Sequence, residues 1–588
     1  MQRILLSTLL GAALAAAPLA AQQTRAAQRL DVNAAGTGLS PSVASSGDLT
    51  VVAWNDGGTG GSNHVYVSTS DGRGLAWTAP VQVDQDPGAA KKYTQSDSVQ
   101  VHGDSIYVFW SDERNSTTTD EVWFNVSHDR GVTWGTEQRM DKGYPAGTGA
   151  IRDWRVVSQN GFGPANDILV LMQSVDPDNA SDEELHVSIS FDSGATWANT
   201  PMPDPALTSG DVDQIGIAMD GAFIHLAWAG DGLGGASFDV IYYQRSDNLG
   251  VTWTHANPVV ISSAPAGAGD AEFEVHVDTD NLHSLVAVGW LEERLSTTEE
   301  EVRCIVSDDL GITWPFADTL IGQYTAGTHD VDGMDLRIAG GNVLLAWDDN
   351  RSGSDLLYAA RSTDEGATWE ADVQVSSANG GGFPIFAANE GGDVLALTYT
   401  TDTFPNAAET TLSTDAGGTW LVGVATSATT GDVDFAELAW NALYGNVISV
   451  WLDDVLGTNH VYVGGYRPQT LTPMGTFAAG SPIHFMGERF GGTQPRGGVL
   501  ISGAAGDGIA LTDGRKTGLS QHPYFSSAVA FLSGPLSGAM QPDGSFTTPT
   551  INLPGGIAAG TTLHFVGIEF MNKNNVGPIT DVVTLVTQ

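Results

Sequence analysis

One eight-residue pattern, Ser-x-Asp-x-Gly-x-Thr-Trp, recurs along the chain and limits what the chain can fold into. It stands at Ser127-x-Asp129-x-Gly131-x-Thr133-Trp134, at Ser190 to Trp197, at Ser307 to Trp314, at Ser362 to Trp369 and at Ser413 to Trp420. Two further copies are imperfect: Ser246 to Trp253 has Asn248 for the acid, and Asp71 to Trp77 carries one extra residue. The chemistry is that of a turn. A short carboxylate accepts backbone N–H bonds, Gly takes a positive φ, and Thr-Trp restarts a strand with the Trp packed beneath it.

The seven tryptophans lie 51 to 63 residues apart, too far for a helical solenoid repeat and suited to a four-stranded unit. Apolar alternation bounded by Gly, Asp and Asn marks the strands. In the second unit they read Ser98-Val99-Gln100-Val101, then Ser105 to Trp110, then Glu121 to Val126, then the turn and Glu137 to Met140. Second strands usually end in an aromatic: Trp54, Trp110, Trp228, Trp290, Trp347, Tyr399 and Trp451, with Ile168 to Met172 as the irregular member. The expectation is an all-β propeller of eight blades, with seven as the alternative. The last unit has no outer strand of its own, and Arg29-Leu30-Asp31-Val32-Asn33 is expected to supply it and so protect the ring from open edges.

The propeller is expected to span residues 28–466. Residues 467–588 lack the turn pattern and read as a small C-terminal β-sandwich. Residues 1–21 read as a secretory signal peptide, with Arg3, an apolar run from Ile4 to Ala17 and small residues around Ala20. That run is short for a spanning helix and no later stretch is longer, so a secreted chain without a membrane span is expected. Acids number 69 against 24 Lys and Arg, a net charge of −45, which argues against nucleic acid as a partner. The one cysteine, Cys304, excludes an internal disulfide and a cysteine-built zinc site.

The repeated turn resembles the Asp-box, or bacterial neuraminidase repeat, of the sialidase-like superfamily of propellers. The resemblance is specific for fold and much less so for chemistry, since such propellers include sialidases, other glycan-cleaving enzymes, sorting receptors and assembly factors. It implies, for a sialidase, an arginine triad opened by an Arg-Ile-Pro motif, with a Tyr nucleophile, a Glu and an acid/base Asp. No Arg-Ile-Pro occurs, and Gly38 to Val43 offers no arginine in its place. Sialidases of this kind also have six blades.

The chain's own acids point to the face opposite the turns. Segments leading into innermost strands carry acid pairs, Asp211 with Asp213, Asp270 with Glu272, Asp330 with Asp332, and Asp432 with Asp434, and single acids at Asp97 and Asp153. Gathered at an axis, such carboxylates repel unless arginines, raised pKa values or a hard cation such as Ca²⁺ compensate them. Arg114, Arg294 and Arg351 at second-strand ends, and Arg152, Arg155 and Arg337 near innermost strands, are the candidate compensators, with His276 and His329 nearby.

The expected function is recognition of an extracellular glycan or protein on this acidic face. Arg152, Trp154, Arg155 and Arg337 are the ligand contacts, and Asp211, Asp270, Asp330 and Asp432 the cation ligands if Ca²⁺ binds. The alternative is a glycoside hydrolase whose catalytic acids come from Asp213, Glu272, Asp332 and Asp434. Tyr93, Tyr144, Trp154 and Tyr324 are the aromatics expected to stack on sugars.

Overall fold

The computed structural model describes residues 23–31 and most of 38–502, apart from short loops that include 58–62, 202–211, 264–272, 294–299 and 323–329, and beyond these only strands within 537–586. The proposed signal peptide, Arg294, Tyr324 and His329 lie outside the described residues.

Eight antiparallel sheets follow one another along the chain as eight blades. Their innermost strands are Gly38–Ser46, Val99–His102, Ala150–Gln159, Val212–Asp220, Phe273–Asp280, Met334–Ala339, Gly382–Ala388 and Val433–Asn441 for blades one to eight. Each innermost strand touches the next, and the eighth touches the first, so the ring is closed. The closure is made by the N-terminal segment: Gln23–Arg29 pairs antiparallel with His460–Arg467 as the outer strand of blade eight. This strand begins upstream of the expected Arg29. Leu30 still donates its N–H to Val461, and Asp31 accepts from His460 Nδ1 at 2.7 Å.

Second strands lie between neighbours on both faces, which explains their near-continuous apolar runs. Every residue of Leu285–Glu292 and of Asn446–Asp453 is buried, and Trp54, Trp110, Trp290, Trp347 and Trp451 are fully so. Each terminal Trp needs a partner for its indole N–H. An acid two residues on supplies it in three blades, Asp112, Glu292 and Asp349, at 3.3, 2.7 and 2.9 Å.

The repeated turns are built as their residues demand, with one addition. Asp309 Oδ1 accepts the Thr313 N–H at 2.8 Å, its Oδ2 accepts the Thr313 hydroxyl at 2.7 Å, and Ser307 Oγ accepts the Gly311 N–H at 2.8 Å. Asn248 reproduces the backbone bond of the acid at 2.8 Å, so the amide copy is equivalent. The residue before the Gly is also left-handed, as at Leu310 and Glu365 with φ of 59° and 62°. Two successive left-handed residues are strained for a side chain at the first, and the Asp and Ser bonds hold them there. The Trp does not lie beneath its own blade alone. It wedges against the preceding one, as Trp197 does edge-on to Phe124 at 5.4 Å and Trp314 to Tyr243 at 4.8 Å.

Close approach of blades also fixes the Gly. At Gly366, φ is 84° and a Cβ would stand 2.6 Å from Val306 Cβ of the preceding blade. Gly366→Ala is therefore expected to cost about 2–4 kcal/mol, from left-handed strain plus overpacking, read as a lowered denaturation midpoint. A loss below about 0.5 kcal/mol would show the blades free to part here.

After the propeller come two further antiparallel sheets. One is built around Thr470–Gly475 and Pro482–Glu488, the other around Arg496–Ser502 and Thr562–Asn572. Among the described residues no helix is long and apolar enough to cross a membrane.

Candidate functional site

Antiparallel register puts the starts of innermost strands and the ends of second strands at one rim and the aspartate turns at the other. In blade six Met334 pairs with Trp347 near the first rim, and Val343 pairs with Ser362 at the second.

Among the described residues, five innermost-strand carboxylates join one blade to the next. An innermost strand has one edge without a sheet partner, and its N–H groups must be satisfied where they are buried. The previous blade does this with acids: Glu274 accepts from Met334 N, Asp278 from Ile338 N and Asp335 from Phe386 N, each at 2.7 Å. Asp153 accepts likewise from Ile215, and Glu437 from Val43 across the closure. These acids alternate along the strands with apolar residues packed between blades, which decides the place of Trp154. Its neighbours Asp153 and Arg155 face the channel, so Trp154 is core, 3% exposed and packed near Phe109. The expected stacking role falls away for that residue, while Tyr144 bonds Glu184 and His186.

The expected compensating arginines are engaged by acids. Arg155 pairs with Asp153 at 2.6 Å, Arg152 with Asp176 at 2.7 Å and Arg337 with Asp278 at 3.6 Å. Arg114 lies over Trp123 with Asp112 and Glu137, and Arg351 over Tyr358 with Asp349 and Asp372. His276 reaches Asp335 at 3.2 Å. Burial works against its charge, but the bond to Asp335 and the nearby Glu274 hold its pKa up.

Of the acid pairs, Asp211, Asp270 and Glu272 lie outside the described residues, and of Asp213 only its place in the strand Val212–Asp220 is described. Asp432 Oδ1 accepts from Asn406 N at 2.9 Å and Asp434 from Asn459 Nδ2 at 3.3 Å, bonds that brace loops of blades seven and eight. Among the described residues no three His, Cys, Asp or Glu side chains are placed to hold a metal ion.

Asp330 and Asp332 belong to a denser group. Around them stand Glu300 of blade five, Asp348 and Asp355 of blade six and Asp402 of blade seven. Burial, then Asp330, raises Glu300 to about 7. Burial, then Asp330 and Asp402, raises Asp332, and Asp355 is raised by burial and by Asp332, Asp402 and Asp330. Asp348 is pushed furthest, to about 8, by burial first and then by Asp332, Glu274 and Asp355.

Aromatic surface adjoins this group. Six innermost strands carry a bulge near their start, in blades one, three, four, five, seven and eight. Four of these bulges hold a non-glycine residue at positive φ: Ser40, Glu274, Phe383 and Phe435. Such backbone strain persists where surrounding structure enforces it and clusters at binding sites. Phe383 and Phe435, on adjacent blades, are 59% and 62% exposed. Phe383 lies beside Asp348: a Cβ on Gly333 would be 3.3 Å from Phe383 Cδ1 and 3.5 Å from Asp348 Oδ1.

No family model and no curated protein matches the chain. Solved structures do resemble it. An alpha-L-arabinanase of Penicillium chrysogenum is 14% identical over 53% of this chain and 93% of its own, with a TM-score of 0.34. A Trypanosoma rangeli sialidase is 11% identical over 77% and 86%, with a TM-score of 0.35. The polysaccharide lyase Uly1 is 9% identical over 63% and 89%, with a TM-score of 0.39. The fold is an eight-bladed β-propeller, established by the chain's own sheets and their closure. Likeness at these TM-scores carries no argument, and fold and site chemistry both rest on this chain's own residues.

Sequence reading saw Asp330 and Asp332 but missed Asp348, Glu274 and the two phenylalanines. The doublet Asp348-Asp349 after Trp347 was a usable signal, since other blades place a neutral residue between the aromatic and its acid, as in Trp110-Ser111-Asp112 and Trp290-Leu291-Glu292.

Proposed function

We propose that this is a secreted propeller that recognises an extracellular glycan on the rim opposite its aspartate turns, at the sector formed by blades five to eight. The observation that supports this most directly is the exposed Phe383 ring, held out by a strained bulge beside a buried carboxyl group. Sugars are bound by an apolar ring face together with a few fixed polar groups. The engagement of Arg152, Arg155 and Arg337 by acids disfavours an anionic sugar, because a carboxylate ligand would displace those acids and meet the remaining ones.

A second reading, hydrolysis of the glycan, is favoured by Asp348, whose pKa burial pushes up to about 8, the direction a general acid needs. Purified chain screened on a glycan array tests the first reading. Phe383→Ala is expected to weaken binding about tenfold or more, as loss of a stacking platform does, with an unchanged melting temperature. Unaltered binding would remove Phe383 from the site. Release of new reducing ends, lost in Asp348→Asn, would establish the second reading.

A further inference from the structure

Register aligns one position across all eight blades, the residue after the second-strand aromatic or its counterpart Gln173. It is Asn55, Ser111, Ser174, Ala229, Leu291, Asp348, Thr400 and Leu452 in chain order. Seven are neutral, so the scaffold does not need an acid there. Blade six has one, only 2% exposed, and its Oδ1 has no hydrogen-bond partner. A buried carboxyl left this way is costly unless something compensates it.

The groups facing it add to the cost. Asp332 comes from the segment leading into blade six, Glu274 from the innermost strand of blade five, and Asp355 from the loop beyond the second strand. Asp330 and Asp402 surround these in turn. His276 and Arg155 act on Glu274, and Arg351 in the same blade is held by Asp349 and Asp372. Gly333 and Gly382 place no side chain beside the carboxylate, where a Cβ on either would sit at contact distance, 3.5 Å from Oδ1 or 3.4 Å from Oδ2. The Phe383 ring borders the same space.

Resting on the glycan reading, we infer that the sector takes an amino sugar, with its ammonium group seated between the Asp348 carboxylate and the Phe383 ring. Carboxylates and an aromatic face together suit an ammonium ion, through charge and through the ring quadrupole. A hard metal cation gains nothing from the ring and needs several oxygens in fixed array. A neutral sugar leaves the crowded acids uncompensated. Binding reverses the local field, so Asp348 gives up its proton to solvent and the carboxylate pairs with the ammonium.

Isothermal titration of the full-length chain at pH 7 tests this with three tetrasaccharides: N-acetylated chitotetraose, its deacetylated form, and a form with trimethylated nitrogens whose charge is fixed. The deacetylated form is expected to bind at least about tenfold more tightly than the acetylated one, the equivalent of one pKa unit. The trimethylated form is expected to release up to about one proton, read from the heats in two buffers. Asp348→Asn should abolish that release and lower affinity, while Asp308→Asn, an exposed charge on the opposite rim, should change neither.

Equal or tighter binding of the acetylated form would overturn the ammonium inference and leave the glycan reading standing. Binding of the deacetylated form that Asp348→Asn does not alter would reduce it to general attraction by the net charge of −45. Absence of binding to any glycan would remove both readings.

Discussion

Raising the pH from about 5 to about 8 is expected to destabilise the chain, and Asp348→Asn and Glu437→Gln should each remove part of the loss. Both carboxyls are pushed up to about 8 in the fold, chiefly by burial. Unfolded, they titrate near the ordinary value of about 4. Between those values the folded chain holds protons that the unfolded chain has lost, so stability falls with rising pH. The slope is about 1.4 kcal/mol per unit for each such group. His276 acts in the same direction: its raised pKa gives stability that is present at low pH and lost as pH rises through the folded value.

The aspartate turns oppose this at the acid end. Burial tends to raise Asp192, Asp309 and Asp415, but bonds from Thr196, Thr313 and Thr419 win and hold them low. Their contribution is complete above the ordinary carboxylate range and is lost as pH falls below it. Stability should therefore peak at about pH 4–6. Denaturation curves at pH 5, 7 and 8.5 read this directly, with either variant showing a shallower decline than the parent. A parent curve that is flat or rises over this span would show that these carboxyls ionise freely in the fold.

The parts of this molecule that were legible in the sequence are those built locally. A turn whose bonds run from Ser to Gly and from Asp to Thr within eight residues leaves its whole cause in the chain, so the fold could be read from its seven copies, and the eighth blade from the second strands that end in an aromatic. The N-terminal closure was legible for a related reason, since blade eight lacks a strand. The site was not, because it is made by comparison between blades. Asp348 stands out in Trp347-Asp348-Asp349 only when the blades are set side by side, and register then shows that the seven equivalent positions are neutral.

Phe383 and Phe435 are brought out by bulges that no spacing announces, while Trp154 is turned inward by an alternation whose phase depends on the bulge at Arg152. The acids leading into the innermost strands were visible as a set. What each one does depends on whether the next blade presents an unsatisfied N–H to it.

That last dependence gives the second large expectation. Asp278→Ala should destabilise the ring by about 2–4 kcal/mol, whereas Asp278→Asn should cost about 1 kcal/mol or less. Asp278 Oδ2 accepts the N–H of Ile338, a buried residue on the next blade, at 2.7 Å, and Arg337 lies 3.6 Å away. Alanine strands a buried donor and removes the acid facing the Arg337 guanidinium, although that side chain is 46% exposed and water can take over its solvation. Asparagine keeps an oxygen for the N–H, and its neutrality relieves a carboxyl whose pKa burial has raised. The ordering of the two variants carries the test. Were charge pairing with Arg337 the main contribution, Asn and Ala would lose alike. A small loss for both would mean that solvent in the channel satisfies Ile338 once the acid is gone, and that the acidic lining does not join one blade to the next.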